Sequence, residues 1–421
     1  MFESIFLKSL MGLNIGDLEL NYKGVKHNFG VKGDSLNAVI EIHDGQFFKR
    51  ALLDGDIGIG ESYMAGEWTS PDIVSVIRLA VRNLDSLETS NKWFSALSRF
   101  GNRILHVLKS NSITNSKKNI RAHYDLSNEF FSLFLDDSMT YSCAWFENQN
   151  DSLERAQTQK LDRICHKLQL KPGDRLLEIG SGWGGLALHA ASHYGAHVTT
   201  TTISQQQYDL AEERFRSFDP SGERIQLLLE DYRNLEGTFD KIVSVEMFEA
   251  VGLDYYDQFF AACDRLLTPN GSMLIQTITM LDQKFPAYHR SSDWIQKYIF
   301  PGGELASMTE MLKSTTRASR LSLFNAEDMG IHYAMTLNEW RRRFLLNLDE
   351  VSRLGFDAKF LRMWEFYLAY CEGAFLERHV STTQMMFVKA YAQTNLVGEP
   401  LSQVDSNMPK SRFLRTEFQA K

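Results

Sequence analysis

The segment from Leu176 to Gly185, LLEIGSGWGG, constrains most strongly what this chain can fold into. An apolar run of strand length enters Gly180, Gly182 and Gly184 at alternate positions, and GLALHAASHYG follows with helical spacing. Glycines this close let backbone pass where a Cβ would repel a neighbour or a ligand, so the segment predicts a strand, a tight turn and a helix. RLLEIG, HVTTTTI, IQLLLED, FDKIVSVEMF and GSMLIQTITM are apolar runs of similar length, separated by helical patterns such as QQQYDLAEERFRSF. That alternation predicts βαβ units around a parallel sheet over residues 122–395, an α/β domain.

Residues 1–91 read differently. LNAVIEIHDGQFF is strand-like, and the glycines of GDIGIGESYMAGEW predict backbone bends in a small separate module. Residues 92–121 carry seven cations and no acid, with Trp93, Leu97, Phe100, Ile104, Leu105 and Leu108 at helical spacing. A basic amphipathic helix and linker can lie on an anionic membrane or pack between domains. Residues 396–421 form a polar tail. A net charge of −8 argues against nucleic acid as a partner. MFESIFLKSLMGL lacks a cationic signal-peptide start, and no apolar run reaches bilayer-spanning length. Cys143, Cys165, Cys263 and Cys371 lack the spacing of a zinc site or a disulfide framework, which fits a reducing cytoplasm and no metal.

Alternating glycines alone also occur in dinucleotide sites. The position of the acid separates the two. The second strand ends in Thr201, Thr202, Ile203 and Ser204, with no carboxylate for a ribose, whereas Glu178 precedes the glycines. Acid-x-Gly-x-Gly-x-Gly is the usual signature of S-adenosylmethionine methyltransferases, so this cofactor is predicted.

YDLSNEFF (124–131), TYSCAWF (140–146), MFEAVG (247–252) and YIFPGG (298–303), together with the glycine turn and GESYMAGEW, follow one another in a specific order. In this the chain resembles the cyclopropane-fatty-acyl-phospholipid synthase family over about residues 40–390. The resemblance implies a Rossmann-like methyltransferase domain with a smaller amino-terminal lipid-associated domain. It implies methyl transfer from S-adenosylmethionine to the cis double bond of an unsaturated phospholipid acyl chain, forming a cyclopropane fatty acid. It further implies peripheral contact with a phospholipid membrane surface from the cytoplasm, and a homodimer. Carried over by motif, Tyr141, Ser142, Gly180, Gly182, Gly184, Thr202, Ile203, Gln207, Glu230 and Asp231 are cofactor contacts beside Glu178. Cys143, Glu249 and Tyr333 are active-site residues.

An alkene is a poor nucleophile and must be held in line with the methyl group. Its attack leaves a carbocation, which aromatic faces stabilise. Tyr124, Phe130, Phe131, Trp145, Phe248 and Tyr298 are expected to supply such faces, each with plain core packing as the alternative. A base must then remove a proton. In the family this base is thought to be bicarbonate, held by a Cys backbone, a Glu, a His and a Tyr. Here Ala250 and Gln276 stand at the histidine positions, and Gln276 can donate a hydrogen bond but carries no charge. Two additional carboxylates, Glu246 and Glu372, stand where the family pattern has small residues; either one of them supplies the base in place of bicarbonate, or both are surface or structural glutamates. Cys371 occupies a segment once assigned a nucleophilic thiolate; direct methyl transfer needs none, so it reads chiefly as core. Loss of a different proton would give a methyl-branched or methylene product instead. A small-molecule N-methyltransferase and a non-catalytic lipid-binding protein are the more distant alternatives.

Overall fold

The computed structural model describes residues 1–86 and 126–392. The predicted basic helix at 92–121, Tyr124 and the 396–421 tail lie outside the described residues. The amino-terminal part contains α1 (Phe2–Leu10), β1 (Asp17–Tyr22), β2 (Val25–Gly30), β3 (Asn37–Ile42), α2 (Gln46–Met64), β4 (Trp68–Thr69) and α3 (Ile73–Arg82). Its sheet has the order β2-β1-β3-β4, with β1 parallel to β3 and antiparallel to β2. Alternate residues of β1 and β3, Leu18, Leu20, Ala38, Ile40 and Ile42, turn inward, as the period of two requires. The glycine-rich segment is not a series of bends. It runs as α2, broken only at Gly55, whose φ of 58° and ψ of −131° are open to glycine. Gly60 lies within the helix, and the position takes glycine because a Cβ there would collide with the Trp294 indole.

The larger part runs α4 (Asn128–Ser132), α5 (Leu153–Leu168), β5 (Arg175–Ile179), α6 (Gly185–Tyr194), β6 (His197–Thr201), α7 (Gln205–Phe218), β7 (Ile225–Leu228), β8 (Phe239–Val245), α8 (Tyr256–Leu266) and β9 (Leu267–Met280). It continues through α9 (Trp294–Tyr298), α10 (Met308–Ala318), β10 (Leu321–Asp328), α11 (Gly330–Leu346), α12 (Ala358–Leu376) and β11 (Val380–Lys389). The strand order is β10-β11-β9-β8-β5-β6-β7. The five apolar runs predicted as strands are β5 to β9, all parallel to their neighbours in this group. β11 and β10 extend the sheet in antiparallel fashion. Leu177, Ile242 and Ile275 enter the core shared with α8, while Leu176, Val243 and Leu274 enter that shared with α5 and α6. The sheet is thus buried on both faces, which is why its strands read as unbroken apolar runs.

Ion pairs and hydrogen bonds join the two parts. Arg78 and Arg82 meet Glu377 at 2.6 and 2.5 Å, the Tyr63 hydroxyl donates to Glu365 at 2.8 Å, and Glu61 accepts from Lys297 at 2.5 Å and Tyr298 at 2.6 Å. No helix among the described residues is long and apolar enough to cross a membrane.

Candidate active site

The strand order reverses at β5, between β6 and β8, and open α/β sheets bind ligands at the carboxyl ends of strands beside such a reversal. A cavity of about 920 Å³ opens there. It passes the glycine turn and continues into the amino-terminal part, where Leu18, Ile40, Phe47 and Trp68 line it.

The turn is tied to the next strand by Gly180 and Ser181, whose N–H groups donate to the Thr201 carbonyl at 3.0 and 2.9 Å. Gly180, Gly182 and Gly184 all have positive φ, at 96°, 50° and 86°. Gly182 faces the cavity with nothing within 4 Å of where a Cβ would stand. Gly184 does not line the cavity; a Cβ there would lie 2.5 Å from the Phe215 ring on α7, so it serves helix packing rather than cofactor contact. Gly184→Val is therefore expected to cost about 2–4 kcal/mol in chemical denaturation. Gly182→Ala should cost about 1 kcal/mol yet lose most of the thermal stabilisation that S-adenosylmethionine gives. Equal effects of the two substitutions would contradict this division.

Tyr141, Ser142, Glu178, Thr202, Ile203, Gln207, Glu230 and Asp231, the expected cofactor contacts, all line this one cavity. Ser204 caps α7 by accepting from the Gln207 N–H, and the Thr202 hydroxyl donates to Gln207 Oε1 at 2.9 Å, which fixes that side chain. Asp231 accepts from Arg233 at 2.7 and 2.6 Å. Glu178 is buried on β5 beneath the turn and accepts from the Thr200 hydroxyl at 2.6 Å. Burial pushes its carboxyl up to about 8, against that hydrogen bond and the nearby Lys160 charge. A glycine cradle open to a concave site, ringed by hydroxyl, amide and carboxyl groups, fits S-adenosylmethionine.

Deeper in the cavity stands Glu246, just past β8. Its Oε1 accepts from the Cys143 backbone N–H at 2.9 Å and from Gln276 Nε2 at 2.9 Å; its Oε2 accepts from the Tyr333 hydroxyl at 2.7 Å. Burial raises its pKa, while those three donors and Lys160 oppose the rise. Glu246 has a φ of 50°, and such left-handed backbone costs a non-glycine residue roughly 1–2 kcal/mol. Its N–H bond to the Gln276 carbonyl at 2.7 Å helps hold it there. Gln276 is oriented in turn: Lys167 donates to Gln384 Oε1 at 2.7 Å, and Gln384 donates to Gln276 Oε1 at 3.0 Å. Each amide thus has one face committed, leaving the Gln276 NH₂ for Glu246. Glu249, one turn on, accepts from the Ile278 N–H at 2.5 Å. Burial and then the Glu246 charge push its carboxyl up to about 8.

The family model for mycolic acid cyclopropane synthetase matches residues 111–385. The chain belongs to this family. The tuberculostearic acid methyltransferase UfaA1 of Mycobacterium tuberculosis is 39% identical over 349 residues, covering 81% of each chain. The cyclopropane-fatty-acyl-phospholipid synthase of Escherichia coli K12 is 38% identical over 361 residues, covering 84% of this chain and 88% of that one. The mycolic acid cyclopropane synthase CmaA1, solved with S-adenosylhomocysteine, matches with a TM-score of 0.60 at 30% identity over 65% of this chain and 98% of that chain. Like these, the protein is an S-adenosylmethionine-dependent methyltransferase.

Several residues singled out from sequence lie elsewhere in this family member. Glu372 is outside the cavity, buried and paired with Arg341 at 2.8 Å and Asn338 at 2.9 Å, so its charge is already neutralised. Cys371 lines the cavity, but burial pushes its thiol far above the usual range and leaves no thiolate to attack. Phe248 and Phe131 are fully buried among other rings, Phe248 at 4.5 Å from Tyr256 and Phe131 at 5.0 Å from Trp183. Tyr298 also stays outside the cavity and spends its hydroxyl on Glu61. Aromatic residues that do line the cavity include Tyr141, Tyr333 and Tyr367, the first and last joined by their hydroxyls at 2.8 Å. Cys143 acts only through its backbone; its thiol is buried and raised well above its ordinary value by burial. Lys160, Lys167 and Gln384 were not legible as site residues. A lone Gln in the apolar run of β11, and a Lys on the buried face of α5, were the available signals.

Proposed function

We propose that this enzyme methylates the cis double bond of a phospholipid acyl chain and closes a cyclopropane ring, with Glu246 as a built-in base. The observation that carries this reading is the carboxylate of Glu246 held by the Cys143 N–H, Gln276 and the Tyr333 hydroxyl. Those are the kinds of donor that the family resemblance assigns to bicarbonate. With all three already satisfied by a carboxylate of the chain, the residues present do not fit a separate bicarbonate, and no step is assigned to one.

Bound S-adenosylmethionine supplies an electrophilic methyl group to the alkene. The chain's own residues do the rest. The apolar cavity, continuing to Leu18, Ile40 and Trp68, suits a lipid tail and excludes water from the reacting carbons. The faces of Tyr141, Tyr333 and Tyr367 stabilise positive charge on the acyl chain. Glu246 accepts the proton lost from the transferred methyl, and its raised pKa makes it a stronger base than an exposed carboxylate. Peripheral contact with a membrane is supported by apolar side chains exposed on the amino-terminal part, Met1, Met11, Val25 and Val31 among them.

The 39% identity to a tuberculostearic acid methyltransferase favours a second reading, in which a methyl-branched or methylene chain leaves. Mass spectrometry of fatty acids from a host expressing the protein, fed labelled methionine, separates the two. The expected product gains one labelled CH₂ and resists hydrogenation as a ring. A labelled product that keeps a reducible double bond would install the second reading, and unlabelled lipid would overturn both.

A further inference from the structure

One of the three hydrogen bonds to the Glu246 carboxylate comes from a side chain with two unlike ends. Gln276 carries an NH₂ that suits a carboxylate and, on the same carbon, an oxygen that repels one. Resting on the reading of Glu246 as base, we propose that Lys167 and Gln384 are positioning residues for it, fixing which end of Gln276 the carboxylate meets.

The contacts run without a gap from the rim of the domain to the base. Lys167, on α5, donates to Glu327 Oε2 on β10 at 2.6 Å and to Gln384 Oε1 on β11 at 2.7 Å. Gln384 Nε2 donates to Gln276 Oε1 on β9 at 3.0 Å, and Gln276 Nε2 donates to Glu246 Oε1 at 2.9 Å. The register of β11 and β9 sets Gln384 directly opposite Gln276. An ammonium has donors and no acceptor, so Lys167 admits only the oxygen of Gln384. That leaves the Gln384 NH₂ for the Gln276 oxygen, and the Gln276 NH₂ for Glu246. The direction of every bond in the chain follows from the charge at its outer end.

Burial gives that direction its weight. Gln384 is 1% exposed and Gln276 0%, and their chain neighbours Met385 and Ile275 are wholly buried. An apolar pair would join the strands without the cost of burying two amides, and in so dry a place aligned amides strengthen one another. Glu246 is also faced by Lys160 on α5, Tyr333 on α11, the Cys143 N–H and Glu249, while Lys167 is faced by Glu327 and Arg163. All of these stay in place when Gln384 is replaced, so a change in the titration of Glu246 then reports the amides.

Gln384→Glu is the sharpest test. It keeps the shape of the side chain and an acceptor for Lys167, but puts an oxygen where Nε2 donated. Gln276 must then turn its NH₂ to residue 384 and its oxygen to Glu246, which favours the protonated base. On vesicles of cis-monounsaturated phospholipid, the rising limb of kcat should move to higher pH. The rate at pH 7 should fall about tenfold or more and recover in alkaline buffer, with KM for S-adenosylmethionine and lipid unchanged. Gln384→Met removes the donor without adding an acceptor and should move the limb less, and Lys167→Arg should keep the parent profile. Infrared titration of the Glu246 carboxyl, identified by its loss in Glu246→Gln, should show the same order. Equal loss of rate at every pH, or a shift as large in Gln384→Met as in Gln384→Glu, would leave Gln384 a packing role and overturn the proposal. Should Gln384→Glu fail to fold, Lys167→Met decides: a limb moved to higher pH supports the proposal, and an unmoved one overturns it. If Glu246→Gln is inactive and the carboxyl titrates alike in all variants, the positioning fails and the base reading survives. If the carboxyl shifts in the stated order while Glu246→Gln stays active, the amide chain stands and the base reading fails.

Discussion

Glu246→Gln is expected to lower the rate of ring formation by about 10³-fold, within the usual range for loss of a positioned base. Glutamine fills the same space; its oxygen can accept from the Cys143 N–H and Gln276 while its NH₂ donates to the Tyr333 oxygen, so binding of cofactor and lipid should change little. Glu246→Gly is the more informative partner. It removes the carboxylate and relieves a φ of 50° that glycine adopts freely. It leaves the Cys143 N–H, the Gln276 amide and the Tyr333 hydroxyl facing an empty volume shaped for a small carboxylate. The variant should therefore be inactive in carbon dioxide-free buffer and recover in millimolar bicarbonate, with formate as a weaker substitute. Full activity of either variant without an added anion would show that the proton goes elsewhere.

Lys160→Met should produce the second large effect. Lys160 is almost fully buried on α5, donates to Ser142 Oγ at 2.9 Å, and its charge acts on Glu246, Cys143, Asp136 and Glu178. Its charge holds the carboxyls of Glu246 and Glu178 below where burial alone would put them. Turnover needs Glu246 deprotonated, so the rate rises with pH through the pKa of that group. Without the lysine that rising limb should move to higher pH, and the rate at pH 7 should fall about tenfold to a hundredfold, recovering in alkaline buffer. Stability should follow the same groups. A carboxyl raised from 4.5 unfolded to about 8 folded, as for Glu178, binds more protons in the native state between those values, so stability falls as pH rises through that window. Lys160→Met should extend the fall to higher pH. A uniform loss of rate at every pH would assign Lys160 a purely structural role.

The parallel sheet was legible because strands buried on both faces leave apolar runs, as β5 and β8 do. β10 was not, because LSLFNAED sits at the sheet edge with most side chains exposed and carries no such run. The glycines of α2 misled for a related reason: close packing against Trp294 and a bend at Gly55 leave the same residue type in the sequence. In the site, the motifs located Cys143, Glu249, Gln276 and Tyr333, and the departure from the family pattern singled out Glu246 beside Glu372. Choosing between those two acids needed three dimensions, since only the structure shows Arg341 neutralising one and three donors gathered on the other. The aromatic candidates failed because ring type alone does not tell a cavity wall from a core. Phe131 and Phe248 pack into the core, and the rings that line the cavity include Tyr141, Tyr333 and Tyr367.

Arg317, Arg320 and Arg343 are each paired with an acid of the chain, Asp257 at 2.6 Å, Asp264 at 3.1 Å and Glu154 at 2.6 Å. Exposed pairs of this kind contribute at most about 1 kcal/mol each. The exposed apolar side chains of the amino-terminal part give lipid contact better support.

The central claim is that the base belongs to the chain. Its most direct test is the rate of the unmodified enzyme on cis-monounsaturated phospholipid vesicles, measured in buffer stripped of carbon dioxide and then with bicarbonate restored. A built-in base gives the same rate in both. A rate that collapses on stripping and returns with bicarbonate would contradict the account and return Glu246 to a structural role.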